Sequence, residues 1–304
     1  MSSRPWVCGE HVHSTGGYMQ FSDTPRQSVV AGRFYSGDAK ELAEDVVAFL
    51  RLRTQKVMEL QDKNVLCLLV PHAGYIFSGP VAGMTLGRVV LPDRLILLGP
   101  NHTGRGKPIS VWSGGPWLTP LGATQTDEET ATALVDADVG FSPDMQAHLQ
   151  EHSLEVLIPF FQVMNPKVQI TPVTISSLNL RELRIAGEAL ADVVLAAAVA
   201  GKRILLVVSS DMSHYLPHER AVRVDSMALE ALLTLDAEHY FHTVRDNNIS
   251  MCGVFPMTMA LFALKKLGAT NARVLAYATS GQTGKSVGAD MSKVVGYAGV
   301  VVTE

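Results

Sequence analysis

Along the chain, short unbroken apolar runs alternate with segments whose apolar positions recur three and four residues apart. VLCLLV (65–70), RLILLG (94–99), VQITPVTI (168–175) and RILLVVSS (203–210) have the near-continuous apolar character of strands covered on both faces. ARVLAYATS (272–280) and VGYAGVVVT (295–303) complete the strand set. Between the strands, Asp38 with Glu41 three residues on forms a capping-box-like start, after which Leu42, Val46, Phe49 and Leu50 share one helical face. Further helices are expected over 79–90, with Pro80 near the first turn, and over 151–163, where Leu154, Leu157, Ile158 and Phe161 align. Others follow over roughly 180–200, over 219–234, and through VFPMTMALFALKKLG to a stop at Gly268.

Strand–helix alternation without an internal repeat predicts a three-layer α/β/α sandwich whose central sheet is largely parallel or mixed. Apolar material begins at VVAGRFY, so residues 29–304 are expected to form one domain. Residues 1–28, polar and without a sustained period, read as a loosely held extension. The Gly/Pro-rich, aromatic segment 104–125 interrupts the alternation and reads as a flap or small hairpin layer near the functional edge.

Composition narrows the classes. Of 304 residues, 47% are apolar and 18% charged, which supplies a sheet buried on both faces and excludes a disordered or collagen-like chain. A net charge of −4 gives no electrostatic reason to expect nucleic acid or an anionic membrane as partner. The most apolar long stretch, LRIAGEALADVVLAAAVAG, is interrupted by Glu188 and Asp192 and falls short of a membrane span. The sparse, odd set Cys8, Cys67 and Cys252 argues for a reducing compartment rather than a disulfide framework. With no charged-then-apolar signal arrangement at the N-terminus, the expected location is cytoplasmic.

The chemistry gathers where strands end. LLVPHAGY places His72 just past one strand, LILLGPNHTG places His102 past the next, and LLVVSSDMSHY carries Asp211 and His214. In open α/β sheets, ligands sit beyond the carboxyl ends of the strands. A strand fixes the backbone, a Pro or Gly stiffens the turn, and an imidazole nitrogen can then be aimed within about 2 Å of a metal ion. Cys252, in NNISMCGVFP, precedes an apolar helix whose N-terminus favours a thiolate, although a free cysteine is most often a small buried hydrophobe. Cys67 reads as core, Cys8 as tail, and His11 and His13 as tail histidines that bind nothing specific. Glu151 and His152 open the 151–163 helix, where they either offset its dipole or orient a ligand imidazole. Asn101 in the GPNH turn joins them as a candidate support. Tyr75, Phe77, Trp112, Trp117 and Tyr215 either line a pocket suited to a planar ligand or merely cover the sheet edge. SGQTGKSVGAD (280–290) lacks the full phosphate-loop spacing, so ATP binding is dismissed.

VAGRFYSGD, PHAGYIFSGPVAG, LGPNHTG, EHSLEVLIPF, VVSSDMSHY and MCGVFP, in this order from about residue 29 to the C-terminus, resemble the motif series of the Memo family. The resemblance implies a fold like the catalytic subunits of class III extradiol dioxygenases, which are non-haem iron ring-cleaving enzymes. It also implies His72, His102 and Cys252 as metal ligands, with Asp211 and His214 beside the metal and His214 at the acid–base position. Those dioxygenases hold iron with two histidines and a carboxylate, whereas Cys252 stands here at the third position. A softer thiolate admits Fe(II), zinc or copper. Metal-dependent redox chemistry, iron handling and phosphopeptide binding are all associated with the family. Its prokaryotic members often accompany a radical-SAM protein and an AMMECR-type protein, which are the implied pathway partners.

The leading expectation is a metal-dependent oxidoreductase, Fe(II) foremost, acting on a small molecule. In it His214 is the general acid/base, and Asp211 orients His214 or a metal-bound water. The alternatives are a zinc-dependent hydrolase, a non-catalytic metal-handling or peptide- or phosphopeptide-binding protein using the same cleft, and a metal-free Cys252 nucleophile with His214 or His72 as base.

Overall fold

The structure, a computed structural model, describes residues 20–52 and 65–304, so Cys8, His11 and His13 lie outside the described residues. Four parallel strands form the centre of the sheet: β1 (Val65–Val70), β8 (Ile204–Ser209), β2 (Arg94–Pro100) and β7 (Gln169–Ile175), in that spatial order. Antiparallel strands flank this centre. On one side lie β11 (Val294–Thr303) and then β10 (Asn271–Thr279), and on the other β3 (Ile109–Val111), with β6 (Phe141–Pro143) beyond it. The sheet is therefore mixed, with a parallel heart.

The two-residue period of the strands divides the core into two layers. Cys67, Leu69, Ile96, Leu98, Leu206 and Val208 face one apolar cluster. Leu68, Val70, Leu95, Leu97, Leu205 and Val207 face the other. The first layer is closed by α5 (Leu180–Val199), which packs against α8 (Val254–Lys266), and by α6 (His218–Leu233) and α7 (Ala237–Asp246). The second is closed by α1 (Ala39–Leu50), α2 (Tyr75–Leu86) and α4 (Ile158–Met164). This is the three-layer α/β/α sandwich that the alternation predicts. No helix among the described residues is long and apolar enough to cross a membrane.

Several local expectations are corrected. Helix α2 starts at Tyr75, directly after the His72 turn, which puts Pro80 inside it rather than in its first turn. Glu151 and His152 do not open a helix; they lie in an irregular turn, followed by a 3₁₀ turn over Glu155–Leu157 and only then by α4. Helix α3 (Glu128–Asp136), capped by Asp127, and helix α7, capped by Asp236, were not anticipated, because their apolar faces are short. The packed chain also begins before residue 29. Arg26 is fully buried, pairs with Glu155 at 2.7 Å, and lies over the Trp117 ring at 4.1 Å.

The 104–125 segment is part of the sheet edge rather than a flap. Strands β4 (Trp117–Thr119) and β5 (Gly122–Thr126) form a hairpin, and β5 pairs with the first residues of β7. Trp112 and Trp117 are completely buried and cross at 82° with ring centroids 5.8 Å apart, so neither lines a pocket. His148 is packed against both rings. Its Nε2–H donates to the Ser110 carbonyl (3.1 Å), while Nδ1 is buried without a partner.

Burial, reinforced by the Arg26 charge, pushes His148 down to about 3, so the ring is neutral in the folded protein. An unfolded histidine titrates near 6.5. Between these values only the unfolded chain takes up the proton, so stability is lost as pH falls from about 6.5 towards about 3. In thermal denaturation of metal-free protein across this range, His148→Gln is expected to melt lower than wild type at neutral pH. Its melting temperature should then fall less steeply with acid, by an amount reflecting a few kcal/mol. An unchanged slope would mean that His148 is not held neutral.

Candidate metal centre

Because the four central strands are parallel, their carboxyl ends share one edge. His72 lies two residues beyond β1, His102 two beyond β2, and Asp211 two beyond β8. Cys252 reaches the same edge from the turn before α8. The donor atoms of His72, His102 and Cys252 lie within 4.8 Å of one another. Cys252 Sγ stands 3.4 Å from His72 Nε2, close to the roughly 3.5 Å expected between two ligands on one tetrahedral ion.

Hydrogen-bond direction fixes which nitrogen each ring offers. The Ser209 hydroxyl has one proton, and it donates it to the Ser153 carbonyl (2.6 Å). Its 2.7 Å contact with His72 Nδ1 is therefore one in which Nδ1–H donates to Ser209 Oγ, leaving Nε2 unprotonated. His102 Nδ1–H donates to Glu151 Oε1 (2.9 Å), while the other oxygen of that carboxylate accepts the His102 amide (2.5 Å). Both imidazoles thus offer Nε2 to the same space, each held from behind by an acceptor on its other nitrogen.

The electrostatics agree. Burial, followed by the neighbouring rings of His102, His152 and His214, drives the His72 pKa well below the ordinary histidine value, which keeps it in the ligating form. Burial opposes ionisation of Glu151, but the His102 ring and the Ser153 amide outweigh it and hold its pKa at about 2.

The third donor behaves differently from expectation. Helix α8 begins just after Cys252, yet burial and the Asp211 carboxylate push the thiol pKa up. The helix terminus alone does not make a thiolate here; a cation beside the sulfur would. One donor already points at that sulfur, the Asp211 amide at 3.1 Å. Gly253 lets the two turns approach. A Cβ at that position would stand 2.3 Å from Ser210 Cβ, and the Gly253 amide instead donates to Ser210 Oγ (2.9 Å). The residues present therefore fit a metal ion: a neutral His72 imidazole, a His102 ring whose pKa, against burial, Glu151 raises but whose Nε2 a cation would deprotonate, and a buried sulfur that needs positive charge to ionise.

Asp211 is occupied structurally. Its Oδ1 accepts the His72 amide at 2.8 Å, and burial raises its pKa to about 6 against the pull of that amide and of Ala73. Asp211 thus braces the His72 turn, and no hydrogen bond between Asp211 and the His214 ring is among the described contacts. His214 opens β9 (His214–Leu216), and its Nδ1–H donates to the Ser250 carbonyl at 2.8 Å. Tyr215 beside it is 74% exposed and adopts a left-handed backbone (φ 58°).

His152 stands nearest the ligand rings. It stacks on His102 (centroids 4.9 Å apart, 16°) and meets His72 edge-on at 5.6 Å, with Phe34 on its far side. His102, Glu151 and His152 also form a set close enough for an ion, but Glu151 Oε1 and His102 Nδ1 are already bonded to each other. Asn101 folds its own turn: Oδ1 accepts from Thr103 and Gly104, and Nδ2 donates to the Arg105 carbonyl. Tyr75 is not in the pocket. It is buried among Tyr35, Phe49 and Phe160 and donates to the Val156 carbonyl. Phe77 packs near Gly284. Ser209, Ser153 and Arg26 were missed; the only sequence signal was a pair of serines closing a buried strand.

A three-layer α/β/α protein with two histidines and a cysteine converging at the carboxyl edge of its sheet defines the class. The model of the Memo-like protein family matches residues 26–301. A MEMO1 family protein of Methanopyrus kandleri is 38% identical over 284 residues, covering 91% of this chain and 98% of that relative. One from Sulfurisphaera tokodaii is 38% identical over 285 residues (90% and 98%), and one from Aquifex aeolicus 37% identical over 277 (91% and 98%). The chain belongs to the Memo family.

Removing the hydroxyl behind His72 tests the tautomer argument. Ser209→Ala leaves Nδ1–H without its acceptor, and metal affinity measured by competition with a chelator is expected to fall by about 10–100-fold in folded protein. Undiminished affinity would show that the ring needs no such support. Gly253→Ala, which forces Ser210 and Cys252 apart, should weaken binding and lower the melting temperature together.

Proposed function

We propose that this chain is a metal-dependent oxidoreductase acting on a small molecule, with Fe(II) held by His72, His102 and Cys252. The observation that carries this reading is the convergence of two Nε2 lone pairs and one sulfur at a partly open edge. His102 and His152 keep 35% and 27% of their side-chain surface accessible there. When bound, the ion supplies redox and Lewis-acid chemistry at this edge.

The protein's own part is positioning and proton transfer. His214 commits Nδ1–H to the Ser250 carbonyl, so it can accept or deliver a proton only through Nε2. His152, which has no ring hydrogen bond among the described contacts and lies over His102, is the imidazole closest to the ligand rings and shapes the approach of a substrate. Two neutral imidazoles and a thiolate also suit copper and zinc, so identification of the ion decides between redox and hydrolytic chemistry.

Metal analysis by mass spectrometry, on protein purified anaerobically without an affinity-metal step, tests the reading. Near-stoichiometric iron in wild type, lost in His72→Ala, His102→Ala and Cys252→Ser, is the expected result. Nitric oxide should then alter the ferrous spectrum. Zinc in the same pattern moves the function to hydrolysis. No metal in wild type, even after reconstitution, overturns the metal-centre reading and leaves a binding protein.

A further inference from the structure

We infer that Arg26 is a positioning residue for the metal centre, holding the one turn on which both ligand histidines rest. The inference depends on the metal-centre reading above. The turn 151–153 supports both rings: the Glu151 carboxylate receives the His102 Nδ1–H and amide, and the Ser153 carbonyl receives the Ser209 hydroxyl that backs His72. The turn is also closed on itself, since the Ser153 amide donates to Glu151 Oε1 at 2.9 Å and Ser153 Oγ donates to the Pro100 carbonyl at 3.1 Å. Being irregular, it has no ladder of its own to fix it.

Arg26 supplies what the turn lacks. Its Nε–H donates to the His148 carbonyl (2.8 Å), its Nη2–H to the Glu151 carbonyl, and its Nη1–H to Glu155 Oε2 (2.7 Å). One rigid planar group therefore spans the segment 148–155 at three points. It is pressed against the Trp117 ring at 4.1 Å and is itself buried. The Glu155 carboxylate is shared with the Val29 and Val30 amides and the Tyr35 hydroxyl, which ties the chain around residue 30 to the same block.

A simple ion pair would explain the contact with Glu155 but not the two carbonyl contacts. Those require donors in the fixed geometry of a guanidinium, which a lysine ammonium does not provide. Without the fork, the Glu151 carbonyl is left buried and unpaired, the His148 carbonyl keeps only the Glu151 amide (3.2 Å), and the turn is free to move its carboxylate relative to His102. A small displacement there moves Nε2 away from the shared position.

Titration of the full chain with Co(II) alone, comparing wild type with Arg26→Lys, tests this. Arg26→Lys keeps the charge opposite Glu155 and loses the fork. Its Co(II) affinity is expected to fall by about 10–100-fold. Leu190→Ala, a truncation of a buried residue on the far face of the sheet, serves as the control for lost stability and should leave affinity within about twofold. Equal affinity in Arg26→Lys and wild type overturns the role of Arg26 while leaving the metal centre intact. If wild type takes up no Co(II), the metal-centre reading fails first and this inference falls with it.

Should Arg26→Lys fail to fold, hydrogen exchange on wild type decides. Coupling between sites is reciprocal, so Co(II) should slow exchange of the Val29 and Val30 amides and of 148–155 more than that of α7. A uniform effect, or none, overturns the inference.

Discussion

Parallel strands cannot be joined by a tight turn, so each must be followed by a crossover, and all of them leave the sheet at the same edge. In this protein four buried strands obey that constraint side by side. Their backbones are held by ladders on both sides, and apolar layers seal both faces. Polar side chains that follow these strands have nowhere to go except the rim. His72, His102 and Asp211, each two residues past its strand, are neighbours for this reason although they are far apart in sequence.

What distinguishes the rim from any other strand edge is the direction of its hydrogen bonds. Each ligand imidazole is backed by an acceptor, but the two acceptors differ. His72 rests on a neutral hydroxyl passed on to a carbonyl, and His102 on a carboxylate that stays ionised. A dication would meet one thiolate directly and one carboxylate through a ring, so its charge would be balanced without a second anionic ligand. Asp211, by contrast, uses its amide on the sulfur and its carboxylate on the His72 backbone, linking two of the three candidate donors.

The layers and the strand set were legible in the sequence because apolar periodicity marks both. His72 and His102 stand out in polar turns after strands, whereas Cys252 joined them only through the family resemblance, and the structure brings the three donor atoms within 4.8 Å of one another. The misplaced residues share a different property. Tyr75, Trp112 and Trp117 look like pocket aromatics because aromatic rings near glycine and proline suit either role, and only their burial decides for the core. Ser209, Ser153 and Arg26 act through long-range contacts with no periodic or compositional signature. The Arg26–Glu155 pair, for example, joins positions 129 residues apart. The upward push on the Cys252 thiol had no sequence signal, because a helix terminus is visible in sequence and burial beside Asp211 is not.

The order of the strands has a consequence in time. β1 lies between β8 and β11, so the strand that introduces His72 has both of its neighbours in the last third of the chain, with Val65 opposite Thr303. The contact between His72 and Cys252 spans 180 residues. Contacts this remote form late and slowly, after the closure of long loops. During synthesis, therefore, the first half of the protein emerges with its histidines and apolar strand segments made, but without the neighbours that β1 pairs with and without the Cys252 sulfur. A ribosome-bound fragment lacks the complete set of three donors, which come together only once the later strands have closed the sheet.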